Sequence, residues 1–110
     1  MIRLTVIPRE GVNLYSLLTR KEVALRRKNQ GTLHRVGAKR AGIEKWKHSS
    51  ISYPGWITLQ RCVGGTLAAV VQSKASDKEW QLLASLVGFL DRHFRDEIST
   101  VTYSYDRGEA

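Results

Sequence analysis

The chain has 110 residues, 42% of them hydrophobic and 25% charged, with one cysteine and a formal net charge of +8. That length and apolar share suit one globular domain and exclude a disordered basic tail. A lone cysteine excludes an internal disulfide and a multi-cysteine zinc site, and the longest apolar run, residues 82–90, is too short to span a membrane.

In chain order, Ile2, Leu4 and Val6 alternate with Arg3 and Thr5, so residues 2–7 read as a half-buried strand closed by Pro8 and Gly11. From Val12 to Lys28 the spacing turns helical, with Leu14, Leu17, Leu18 and Leu25 on one face and Arg26, Arg27 and Lys28 at the negative end of the helix dipole. Gly31 stops that helix. Residues 32–36 and 43–48 read as short strands on either side of the Gly37–Gly42 stretch. Trp56 to Val63 and Thr66 to Gln72 flank Gly64-Gly65, the spacing and chemistry of a tight hairpin.

Ser76-Asp77-Lys78-Glu79 fits a capping box, in which Ser76 and Glu79 satisfy each other's backbone donors. The helix after it has a wide apolar face of two stripes, Trp80-Leu83-Ala84-Val87-Leu90-Phe94 and Leu82-Leu86-Phe89-His93. Residues 98–105 read as a last strand and 106–110 as a frayed tail, leaving one domain over residues 1–105. Short turns between the middle strands make neighbours antiparallel, and each helix offers one face to a sheet. The expected fold is an α+β two-layer sandwich, a mainly antiparallel sheet with two helices packed on it, in the order β-α-β-β-β-β-α-β.

Charge carries the functional signal. Residues 1–50 hold twelve Lys and Arg against Glu10, Glu22 and Glu44, a balance of +9, whereas residues 51–110 sum to −1. Such asymmetry points to an anionic partner, and nucleic acid is the commonest. The expected phosphate contacts are Arg26, Arg27, Lys28, Arg35, Lys39, Arg40, Lys45 and Lys47. Trp46, between two lysines, is the expected stacking platform for single-stranded RNA or DNA. Lys45 and Lys47 share one side of their strand with Ile43, while Glu44, Trp46 and His48 share the other.

Two other classes stay open. His34 and His48, with Glu44, supply the acid, base and nearby cations of a metal-free ribonuclease. A protein-interaction module would meet an acidic partner through the basic face, or form a homodimer through Leu82, Leu86 and Phe89 if these do not pack inside. No P-loop, dinucleotide fingerprint or metal-ligand spacing occurs, so no cofactor or metal is expected. Asp91, Asp96 and Glu97 read as solvated surface and His93 as a packed ring. Without a signal peptide or membrane segment, the expected location is the cytoplasm, with Cys62 as a buried thiol.

Overall fold

The opening alternation becomes strand β1 (Ile2–Pro8), with Ile2, Leu4 and Val6 buried and Arg3, Thr5 and Ile7 exposed. The computed structural model describes residues 1–40 and 43–105, and the side chains of all of these except 38–40 and 76. After β1 come α1 (Leu14–Arg27), β2 (Leu33–Arg40), β3 (Ile43–His48), β4 (Trp56–Arg61), β5 (Leu67–Gln72), α2 (Glu79–Phe94) and β6 (Ile98–Tyr105). The order β-α-β-β-β-β-α-β and the α+β sandwich are those expected. Gly42 and the tail expected at 106–110 lie outside the described residues.

All six strands join one antiparallel sheet in the order β2-β3-β4-β5-β1-β6. The four middle strands meander because short turns join them, and β1 lies between β5 and β6. Residues directly opposite in antiparallel strands share a face. The row Trp46-Ile57-Val71-Ile2 and the row Glu44-Leu59-Ala69-Leu4 therefore point the same way, and all eight residues are buried. Both helices cover that face. The opposite face carries the alternate residues and has no helix over it.

Asn13 caps α1 by accepting the Ser16 amide at 3.2 Å, and Leu14 and Leu18 enter the core one turn apart. The next position on that face, four residues on, is the buried Glu22. From α2, Leu82, Leu83, Leu86, Phe89, Leu90 and Phe94 join the same cluster, each contributing about 1.5–3 kcal/mol relative to exposure. No helix among the described residues is long and apolar enough to cross a membrane.

Four local expectations are corrected. Gly64-Gly65 is not a two-residue turn: Val63–Gly65 forms a short 3-10 turn, and the Cys62 amide closes a wider loop on the Thr66 carbonyl at 2.8 Å. The capping box is not as drawn, because Ser76–Lys78 forms a 3-10 turn and Lys78 is the N-cap of α2, while Glu79 accepts the Ser73 amide at 3.2 Å and lies 2.7 Å from the Met1 amino group. Cys62 is exposed, standing past the end of β4 where the chain has left the sheet. Leu82, Leu86 and Phe89 are 0%, 4% and 1% exposed. They face the sheet, Phe89 edge-on to Trp46 at 6.1 Å, so a dimer cannot form through that stripe. The other stripe is buried at Leu83, Leu90 and Phe94 and surfaces only around Trp80, which is 60% exposed, and Ala84.

Candidate nucleic-acid interface

Two lysines on one strand side cannot both be desolvated cheaply, so strand parity decides where β3 puts its charge. Lys45 and Lys47 stand exposed on the helix-free face, and Glu44 and Trp46 are buried beneath. On that open face Lys45 shares a register row with Thr58, Val70, Arg3 and Ser104. A second row runs Ile43-Gln60-Ala68-Thr5-Thr102. The half-buried Trp56 stands diagonally from Lys45, whose Nζ lies 5.2 Å from the ring centroid. That is a cation–π contact. Glu44 is the only acid in any of the six strands, and it points to the helices. Among the described residues the open face therefore carries Arg3, Lys45 and Lys47, and no carboxylate.

Trp46 does not stand with them. It is 2% exposed, and its Nε1 donates to Glu44 Oε1 at 3.2 Å, so its ring cannot stack on a base. The exposed-side ring is Trp56. Reading parity together with the two lysines points to that exchange: if Lys45 and Lys47 face solvent, Trp46 does not.

The remaining predicted cations lie around the β2 edge. Arg35 is opposite Trp46 in register and turns to the helix side, where its guanidinium reaches Glu44 Oε2 at 3.4 Å. Tyr15 donates to the same oxygen at 2.8 Å. Burial, then that bond, pushes the Tyr15 phenol above its ordinary pKa, and Arg61 lies 5.2 Å from its ring. Glu44 is thus a buried acceptor for three donors. Arg20, Arg27 and Arg35 line a shallow groove of about 370 Å³ between α1 and β2. Arg26 pairs with Glu22 at 3.4 Å, and Lys28 is exposed just beyond α1. Lys39 and Arg40 have side chains outside the described residues. The predicted cations therefore do not share one face: Lys45 and Lys47 lie on one side of the β2–β3 edge, and Arg27 and Arg35 on the other. Arg3 and Arg20, absent from the sequence-based set, join the two groups; their distance along the chain hid the first and the helix period hid the second.

The two histidines come to neighbouring strands, His48 being opposite Leu33, but each ring is held. His34 Nδ1 lies 3.1 Å from Glu22 Oε2 and its Nε2 3.2 Å from the Gly31 carbonyl. Both ring nitrogens thus face acceptors of the fold itself. His48 Nδ1 accepts the Ser50 amide at 2.9 Å, and the ring stacks on Tyr53 at 4.1 Å. Burial first, and the charge of His34 second, lower its pKa. Glu44 bonds to neither histidine. His93 is half-buried, edge-on to Phe89 at 4.9 Å, and Asp91 forms an exposed pair with Arg95 at 2.8 Å.

No protein-family model matches the chain, and neither a curated protein nor a solved structure is significantly similar to it.

Proposed function

We propose that this is a cytoplasmic nucleic-acid-binding protein that holds single-stranded RNA or DNA on the open face of its sheet. The observation that carries the reading is the Lys45–Trp56 pair standing on a sheet face free of carboxylates among the described residues. A ring at a sheet surface offers a base its π-face, while cations around it meet the phosphates. Lys45, Lys47 and Arg3 supply the charge on this face. The arginine groove across the β2 edge extends it for a strand that bends over that edge. Neither helix is placed to read base edges, so binding is mainly electrostatic and weakly sequence-selective.

The test is fluorescence anisotropy of a labelled single-stranded RNA at about 50 mM and about 200 mM salt. The expected result is micromolar or tighter binding at low salt, falling by an order of magnitude or more at high salt. Lys45→Ala/Lys47→Ala lowers the salt slope by about 1.4, two phosphates' worth on a single strand. Trp56→Ala weakens binding about tenfold or more with the slope unchanged, as loss of one stacked base predicts. Flat titrations at both salts would overturn the reading in favour of an acidic protein partner. Cleavage of the RNA in EDTA, abolished by His34→Ala or His48→Ala, would overturn it in favour of a ribonuclease.

A further inference from the structure

Strand β6 is a sheet edge, paired with β1 alone among the described residues. A strand so placed offers a row of unpaired amides and carbonyls, and proteins that keep such an edge solvated blunt it with charge, proline or bulges. Residues 98–105, Ile-Ser-Thr-Val-Thr-Tyr-Ser-Tyr, contain neither charge nor proline, and the one register shift of this strand lies at its start, opposite Pro8. Ile98 packs against the core, but the helix layer leaves the rest of the strand exposed. Val101, Tyr103 and Tyr105 are opposite the buried Val6, Leu4 and Ile2 and so point to the helix side, yet they are 37%, 55% and 65% exposed. Beside them Trp80, Leu83, Ala84 and Val87 of α2, with Tyr103 and Asp91, line a mainly apolar groove of about 490 Å³.

We infer that a second copy of this chain covers this edge, pairing β6 with β6 antiparallel across a two-fold axis and seating the Tyr103–Trp80 patches of the two protomers against each other. An antiparallel strand pair is compatible with a two-fold axis, which brings the same groups from both partners together. The chemistry of β6 meets itself without conflict, since it has no charge to repel its copy. Three aromatic side chains exposed to 55–65% offer roughly 300–450 Å² per protomer. Pairing of an eight-residue strand and contact of Val101, Ala84 and Val87 supply the rest of the roughly 800 Å² per partner that a stable complex takes. Charge favours the same arrangement. Each copy carries +8, and β2 is the opposite edge, about 24 Å from β6 at five strand spacings. Pairing through β6 thus holds the two basic edges well beyond the Debye length of about 8–10 Å.

The test is sedimentation equilibrium of the full chain between about 5 and about 100 µM in about 0.15 M salt. The expected species has twice the chain mass of 12.5 kDa. A single 12.5 kDa species throughout would overturn the proposal, and so would growth past two copies, because a two-fold interface closes. Tyr103→Lys and, separately, Trp80→Lys are expected to raise the dissociation constant at least tenfold with the far-UV circular dichroism unchanged. Trp80 is on an exposed helix surface where lysine is well tolerated, so at least that variant folds. Either variant remaining folded and fully dimeric would overturn the placement of the interface.

Discussion

The sheet ends in β2 on one side and β6 on the other, and the two edges are built from different chemistry. Around β2 the chain places Arg35, the Lys39-Arg40 pair in sequence, and Gly37 at a φ of +80°, where the register with β3 shifts. Helix α1 packs against it, bringing Arg20 and Arg27. Charge, irregular pairing and a covering helix are the means by which natural edges avoid accidental partners. Strand β6 has no charge, its one register shift lies at its start, and past Ile98 it is exposed, presenting tyrosines instead. The lesson is that edge chemistry separates two roles within one sheet: a charged border suited to a solvated polyanion and an uncharged border suited to another strand.

The sharpest way to break this contrast is at the buried support of the β2 side. Glu44 accepts from Tyr15, Trp46 and Arg35, and no buried side-chain nitrogen or oxygen among the described residues lacks a partner. Glu44→Leu removes the acceptor, leaving an indole N–H and a mostly buried guanidinium without their bonds. The expected cost is about 3–5 kcal/mol of unfolding free energy, read by urea denaturation. Glu44→Gln keeps one carbonyl acceptor and is expected to cost about 1–2 kcal/mol less than Glu44→Leu. If Glu44→Leu unfolds at the wild-type midpoint, the network does not stabilise this edge.

These edges differ in how far sequence reveals them. Element order was legible because hydrophobic period switches cleanly between two and 3.6, as at Val6 to Leu14 and at Val71 to Leu82. The orientation of β3 was legible in part: parity separates Lys45 and Lys47 from Trp46, yet local charge around Trp46 suggested exposure. Its burial depends on Ile57 and Phe89, which lie far along the chain. The exposure of Trp80 at the start of α2 was not legible, since Trp80 and Leu82 are equally apolar and only the packing of the helix on the sheet decides which is covered. Strand β6 was recognisable as a strand from its β-branched and aromatic residues. Its edge position depends on β1 inserting between β5 and β6, which is a property of topology and leaves no mark on residues 98–105.

A milder test separates the edges by mass action. If β6 associates and β2 does not, thermal stability must depend on concentration, because a dimer interface stabilises only the folded chains. A tenfold rise in concentration is expected to raise Tm by about 3 °C, about 0.7 kcal/mol per protomer for a domain of this size. Tyr103→Lys is expected to abolish that dependence, whereas Lys45→Ala/Lys47→Ala is expected to leave it intact. A concentration-independent Tm in the wild type would dissolve the distinction between the edges.

The smallest expected effect is a pH dependence confined to one side. His48, near the β2 edge, has its pKa lowered by burial and then by His34. His93 has its pKa lowered by burial and then by Lys21 and Arg92. For a histidine held neutral in the fold, the unfolded chain binds more protons between the folded pKa and about 6.5, so stability is full above that window and declines as pH falls through it. Tm should therefore drop modestly between pH 7.5 and pH 5.5, and His48→Asn, which keeps an acceptor for the Ser50 amide, should flatten the curve. Strand β6 contains no histidine and no carboxylate. The dissociation constant of the dimer is therefore expected to stay constant across the same interval. A dimer that weakened in step with Tm would tie the two edges together through the fold and contradict their independence.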